Sequence, residues 1–230
     1  NRLICSISAT FLLYHSEIRL SRGFLKVFSI FLTFFRIYDI IIKKGIEFMK
    51  NSYVDIWNDL HKNFAQNNKP KYDEWLEEFE SIIANVETEI IDLGCGVTGN
   101  NTLFLLEKGK KVVSCDFAEE ALNVVKTIKG SKTLKFDMLD EFPFEDNSTD
   151  LVIADLSLHY FKEKDTNRII SEIKRILKPN GYLFFRLNST NSTEYKKIIE
   201  NGEKEIESNL FFSKNMEKRF FDEKDINKFF

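Results

Sequence analysis

Between residues 52 and 83 apolar side chains recur at helical spacing, first as Tyr53, Ile56, Trp57, Leu60 and Phe64, then after Pro70 as Trp75, Leu76 and Phe79. This predicts two helices ahead of the first strand, placed as a cap or lid. From residue 90 the period changes. Short apolar runs at Ile90–Leu93, Val112–Cys115, Thr133–Phe136, Leu151–Ala154 and Tyr182–Leu187 read as strands. Between them lie helical patterns over Asn101–Lys108, Glu119–Ile128 and Asp165–Leu177. The last carries Ile169, Ile170, Ile173, Ile176 and Leu177 on one face and closes on Lys178-Pro179-Asn180-Gly181, a helix stop. Apolar strands alternating with amphipathic helices specify an α/β fold, a doubly wound and mostly parallel sheet with helices on both faces.

The first 48 residues do not share this order. Their apolar runs, Leu3–Leu13 and Val27–Phe35, are shorter than the roughly 20 residues a bilayer requires. Extending the second to Phe24–Ile42 takes in Lys26, Arg36 and Asp39, each costing roughly 2.5–3.5 kcal/mol near a membrane centre. No small-x-small cleavage site follows the first run. Met49 is the first methionine, and Lys43-Lys44-Gly45 can be encoded as an A-rich stretch running into GG, where a bacterial ribosome-binding site would lie. Residues 1–48 are therefore read as a non-core extension upstream of a start at Met49, with a membrane-proximal anchor as the alternative. Residues 49–230 are read as the domain.

Composition narrows the function classes. With 43% apolar residues, 9 Gly and 3 Pro in 230 residues, the chain suits one globular domain and excludes a low-complexity or collagen-like one. The formal charge of −3 is unevenly spread: seven basic and three acidic residues fall in 1–48, leaving 26 basic against 33 acidic in the rest. A net-acidic body argues against a nucleic-acid partner, whose phosphates need clustered Lys and Arg. Cys5, Cys95 and Cys115 form neither a disulfide framework nor a metal-binding spacing, so no metal is expected and a reducing cytoplasm is the expected home.

The densest chemical signal follows the first strand. Gly94-Cys95-Gly96-Val97-Thr98-Gly99 is G-x-G-x-x-G between a strand and a helix, and Asp116 ends the next strand, where a ribose-binding acid belongs. That fits a dinucleotide site. Asp92, two residues before the glycines, does not: beside a pyrophosphate it is a like charge where a helix N-terminus should attract anions. Beside a cationic amino group and sulfonium the same carboxylate helps.

At these residues the chain resembles the class I, Rossmann-like, S-adenosylmethionine (SAM)-dependent methyltransferases. Asp92-Leu93-Gly94-Cys95-Gly96 stands as the D-L-G-C-G motif, Cys115-Asp116-Phe117 as the second-strand acid and Phe136-Asp137-Met138-Leu139 as the third. Asp150–Phe161 and Leu177–Phe185 stand as the fourth-strand segment and the fifth-strand entry. The family more often has one residue fewer before the third glycine, which leaves Gly99 and Asn100 less secure than Gly94 and Gly96. The resemblance implies that the Gly94–Gly96 backbone, with Cys95, approaches the methionine moiety and that Asp92 lies near its amino group. It further implies that Asp116 accepts from the ribose hydroxyls, that Phe117 flanks the adenine, and that Asp137 and the Met138 backbone read the adenine edge. Asp155 is counted with this cofactor set. Taken alone, Asp116 or Asp137 would be a turn or cap carboxylate.

His159, just past the fourth strand, falls on the acceptor side and is the candidate base, with an ordinary pKa of about 6.5. The alternative is a histidine packed under the lid and bonded to a backbone group. Tyr53 and Trp57 either close over the cofactor or pack their helix on the sheet; His61 and His15 read as exposed or irrelevant; Cys115 reads as core. The implied activity is in-line methyl transfer to a small-molecule acceptor. A catalytically inactive SAM-binding module is the alternative, and an NAD(P)-dependent oxidoreductase a more distant one. In the family two further strands follow the last helix, so Arg219–Phe230 is expected to be the start of that helix with those strands missing. Strand Tyr182–Leu187 is then expected to have an unpaired outer edge, and Phe229 or Phe230 to be only partly buried.

Overall fold

The computed structural model describes residues 53–65, 74–213 and 216–230. The expectations placed on residues 1–48 lie outside them. Residues 53–65 form α1. The second cap segment begins as a 3₁₀ turn, Glu74–Phe79, and continues as α2, Glu80–Ala84.

Strand β1 (Ile90–Leu93) leads through the glycine turn into α3 (Asn100–Glu107), then β2 (Val112–Asp116), α4 (Glu119–Val125) and β3 (Lys132–Lys135). Next come β4 (Thr149–Asp155), a 3₁₀ turn at Leu158–Tyr160, α5 (Glu163–Ile176) and β5 (Leu177–Arg186). The sheet order is β3-β2-β1-β4-β5, with every pairing parallel. Strands β1 and β2 are buried along their whole length, because helices cover both faces, as parallel sheets require.

Alternation along β1 sorts the two cores. Ile91 and Leu93 join Val113, Val152 and Ala154 under α5, whose Ile169, Ile170, Ile173 and Ile176 are all at most 3% exposed. Each such burial contributes about 1.5–3 kcal/mol. Ile90 joins Val112, Leu151 and Ile153 under α3 and the cap segment, with Leu76, Ile83, Phe104 and Leu105. Strand order reverses between β1 and β4, so the carboxyl ends of those two strands open a crevice at the switch point.

Three observations amend the sequence reading. First, β5 begins at Leu177 rather than Tyr182: the Lys178–Gly181 stretch is a bulge between the Thr149↔Leu177 and Leu151↔Tyr182 pairs, with Asn180 at φ 66°. Second, the chain after α6 (Thr193–Glu200) forms a separate antiparallel sheet, β6 (Glu205–Glu207), β7 (Leu210–Ser213) and β8 (Met216–Arg219). Arg219 therefore ends a strand rather than starting a helix. Third, the last helix, α7 (Glu223–Phe229), starts from a capping box of Asp222 and Asp225. Its Phe229 is buried, contrary to one arm of the expectation, whereas Phe230 is half-buried and stacked on Phe185.

The outer side of β5 pairs with no described strand, and β7 turns to β6 and β8 instead. A lone parallel bridge, Ser189↔Phe221, lies beyond its end. No described helix is long and apolar enough to cross a membrane.

Candidate active site

The turn after β1 is forced by close approach. Gly94 has φ +67°, and a Cβ built there would lie 2.5 Å from the Ser157 Cβ and 3.5 Å from the Met138 methyl. The ends of β1 and β4 touch through this glycine, and the Ser157 hydroxyl locks the contact by donating to the Leu93 carbonyl at 2.8 Å. Gly96, also at positive φ, points its N–H at the Asp116 carboxylate, 3.0 Å away.

Asp92 is 1% exposed. Its Oδ1 accepts from the Asn101 amide at 3.1 Å, whereas Oδ2 is buried with no partner among the described residues. Burial pushes its pKa up to about 7; the Asn101 bond opposes the rise, and the Asp155 and Asp116 carboxylates add to it. Asp116 closes β2 at 6% exposure and accepts from Gly96 and Ala118. Burial raises its pKa as well, against the Ala118 N–H, the nearby His61 and the Gly96 N–H.

The remaining candidates divide. Phe117 and Met138 line the same end of the sheet, Phe117 edge-on to Trp57 at 6.4 Å and Met138 against Gly94. Asp137 turns one carboxylate oxygen back to the Leu139 N–H. Asp155 is engaged in a two-pronged ion pair with Arg186, at 2.6 and 2.8 Å. Burial lifts the Cys95 thiol well above its ordinary pKa, so Cys95 contributes backbone and not a thiolate.

His159 is 1% exposed, and neither ring nitrogen has a hydrogen-bond partner among the described residues. The backbone bond expected of a packed histidine is missing. Burial, aided by the Lys218 ammonium, holds its pKa at about 3 rather than 6.5, so the imidazole is neutral throughout the physiological range. Its ring lies 4.1 Å from Tyr160, which meets Trp57 edge-on at 4.8 Å.

His61 was expected to be exposed or irrelevant; the structure places it half-buried at the carboxyl end of the sheet. It lies beside Trp57, 3.9 Å from where a Gly96 Cβ would be, and near enough to Asp116 for the two to interact electrostatically. Helical spacing gave no sign of this, because it shows which face of α1 is apolar and not what that face covers. Asn101 and Trp75 were likewise missed.

The residues thus assembled fit SAM: an orphaned buried carboxylate oxygen beside a glycine cradle that a Cβ would fill. Comparison with known proteins agrees. Residues 91–185 match a family described as a methyltransferase domain. The chain is 33% identical over 124 residues to YqeM of Bacillus subtilis, named as a methyltransferase, covering 52% of this chain and 49% of that one. It is 32% identical over 109 residues to Mettl2 of Drosophila melanogaster, named as a tRNA N(3)-methylcytidine methyltransferase, covering 42% and 33%. The chain therefore spans half or less of the length of these relatives. A SAM-dependent methyltransferase structure from Methanosarcina mazei superposes with a TM-score of 0.53 at 25% identity, covering 60% of this chain and 74% of that one. Motif, sheet order and cradle agree with the family match: residues 91–185 match a methyltransferase domain, and the sheet carries the fold of the class I, Rossmann-like, SAM-dependent methyltransferases.

Proposed function

We propose that this chain binds SAM at the carboxyl ends of β1, β2 and β4 and transfers its methyl group to a small-molecule acceptor. The observation that carries the reading is Asp92, buried with Oδ2 unpartnered beside a backbone too close to Ser157 for any side chain. A phosphate would meet repulsion there; an ammonium completes the site. In this reading Asp92 holds the α-ammonium, and Gly94, Cys95 and Gly96 form the wall along the methionine moiety. Asp116 takes the ribose hydroxyls, Phe117 an adenine face, and Asp137 with the Met138 backbone the adenine edge. Asp155 acts at one remove, through Arg186.

When bound, SAM supplies an electrophilic methyl carbon on a sulfonium that leaves as a neutral thioether. The chain's part is alignment and exclusion of water, worth up to roughly 7–11 kcal/mol when geometry is ideal. Trp57, Phe117 and Tyr160 form the apolar wall on the α1 side. His159, neutral and with neither nitrogen bonded among the described residues, suits a group that hydrogen-bonds an acceptor hydroxyl or amine better than a strong base. On this account His159→Ala lowers turnover roughly tenfold, the worth of one hydrogen bond, and leaves the Kd for SAM unchanged. Equal loss of both would return His159 to a packing role.

The small-molecule acceptor is supported by the acidic domain body, 26 basic against 33 acidic residues, which repels a phosphate backbone. The tRNA substrate in the name of Mettl2 is the competing reading. Full-length protein incubated with methyl-labelled SAM and either a metabolite extract or total tRNA separates the two. Label in the small-molecule fraction is expected, and label in RNA overturns the acceptor class. SAM binding with label in neither fraction supports a non-catalytic module. Calorimetry that detects NADH but not SAM overturns the cofactor. In the same assay Asp116→Ala should weaken SAM binding by about 1.5–3 kcal/mol, the worth of a hydrogen bond to a charged acceptor; unchanged affinity removes the ribose role.

A further inference from the structure

We infer that Trp75, on the 3₁₀ turn ahead of β1, is a positioning residue for the cofactor carboxylate: through Asn101 it decides which oxygen of Asp92 is left to meet the cofactor's ammonium. The inference rests on the reading of Asp92 given above. Trp75 Nε1 donates to Asn101 Oδ1 at 2.9 Å, and Asn101 Nδ2 donates to Asp92 Oδ1 at 3.1 Å. An indole nitrogen can only donate, so the Asn101 oxygen must face Trp75 and its NH₂ must face Asp92. The amide cannot turn over without setting one donor against another. Asp92 Oδ1 is thereby committed as an acceptor, and any proton on this carboxyl must sit on Oδ2. The proton and the ammonium then compete for the same atom.

Trp75 is itself held in place. The Arg186 guanidinium lies 4.8 Å from its ring centroid and is gripped in turn by both oxygens of Asp155; Phe79 meets the ring edge-on at 6.2 Å. This gives Asp155 a purpose other than cofactor contact: it anchors the cation that anchors the tryptophan. The path runs from the end of β4 through β5, the cap segment and α3 to β1. No sequence motif contains it.

Removing the indole N–H frees the Asn101 amide to turn its oxygen toward Asp92. That stabilises the protonated carboxyl and leaves the ionised one poorly solvated. The other charged or titratable groups that act on Asp92 are Asp116 from β2, Asp155 from β4, itself paired to Arg186 from β5, the thiols of Cys95 and Cys115, and His61 acting through Asp116. Since His61 and Asp116 also titrate, Asp92→Asn is needed to identify the step that belongs to Asp92.

The test is the Kd for SAM by calorimetry from pH 5.5 to 7.5, below the range in which the cofactor's own amino group loses its proton, for wild type, Trp75→Phe, Asn101→Ala and Asp92→Asn. Phe keeps a ring under Arg186 and removes only the donor. Wild-type binding should tighten as pH rises toward about 7, and this step should vanish in Asp92→Asn. Trp75→Phe and Asn101→Ala should move the step upward by about one pH unit, making binding roughly tenfold weaker than wild type at pH 5.5 and narrowing the gap to about threefold at pH 7.5. A uniform loss at every pH, or an unmoved step, overturns the positioning role while leaving the Asp92 reading intact. Flat wild-type binding that Asp92→Asn reproduces overturns both. Should Trp75→Phe fail to fold, Asn101→Ala carries the same readout.

Discussion

Asp92→Asn is expected to melt at a higher temperature than the wild type at pH 8 in the absence of cofactor, while losing most of its affinity for SAM. In the folded protein burial raises the Asp92 pKa to about 7, whereas an unfolded aspartate titrates near 3.9. Between those values the folded state binds the extra proton, so its stability falls as pH rises through the window and the full cost is present above it. Asparagine keeps the shape, still accepts from Asn101 and carries no charge, so it removes that cost. The gain should be a few kcal/mol, which for a domain of this size is on the order of 5–10 °C. It should shrink to a small fraction near pH 4, where the wild-type carboxyl is protonated in the folded state and about half so in the unfolded one. The loss of a charged acceptor should weaken SAM binding by about 1.5–3 kcal/mol. Thermal melts at pH 4.5 and 8, paired with calorimetry, check both halves; a melting difference that does not change with pH removes the argument. The carboxylate is thus a destabilising feature of the ligand-free protein that binding would relieve.

The second large effect belongs to Gly94→Ala. The new methyl would lie 2.5 Å from the Ser157 Cβ, and the residue would have to hold φ near +67°, which disfavours any side chain by about 1–2 kcal/mol. Neither strand can yield: β1 and β4 are paired at Asp92↔Ile153, and the Ser157 hydroxyl is bonded to Leu93. Overpacking of this kind costs about 1–3 kcal/mol beyond the backbone term. The variant should be measurably destabilised and show no SAM binding by calorimetry. Ser157→Gly in the same chain removes the clashing atom and should restore part of the stability but not the backbone term. Additive losses in the double variant would mean that the two residues do not meet as described.

The path from residues to site was legible in some places and closed in others. The five strand positions, the isoleucine stripe of α5 and the glycine turn were readable because each is local: an alternation, a 3.6-residue period, a backbone bend that only glycine accepts. The placement of Asp92, Gly94 and Asp116 at the carboxyl end of the sheet was also readable, since each lies in the last residues of a strand or just after it. The small sheet was not. Its strands β6 and β8 are largely charged and carry no period-2 apolar signal, and Arg219 is buried only because it donates to Glu207 and the Ser208 carbonyl and lies over Phe229.

What the sequence by itself determined is therefore the order of elements, the parallel sheet and the motif that marks the cofactor end, all written in short-range patterns. Only the tertiary structure decided the partners. Asp155 turned to Arg186, 31 residues away, His61 came to rest beside Asp116, and β8 covered the turn carrying His159 and emptied it of charge. Trp75 reached Asn101, 26 residues on, to orient a carboxylate in a neighbouring strand. Each outcome depends on which groups are desolvated together once the layers pack. Desolvation is a property of the three-dimensional neighbourhood, and no spacing along the chain encodes it.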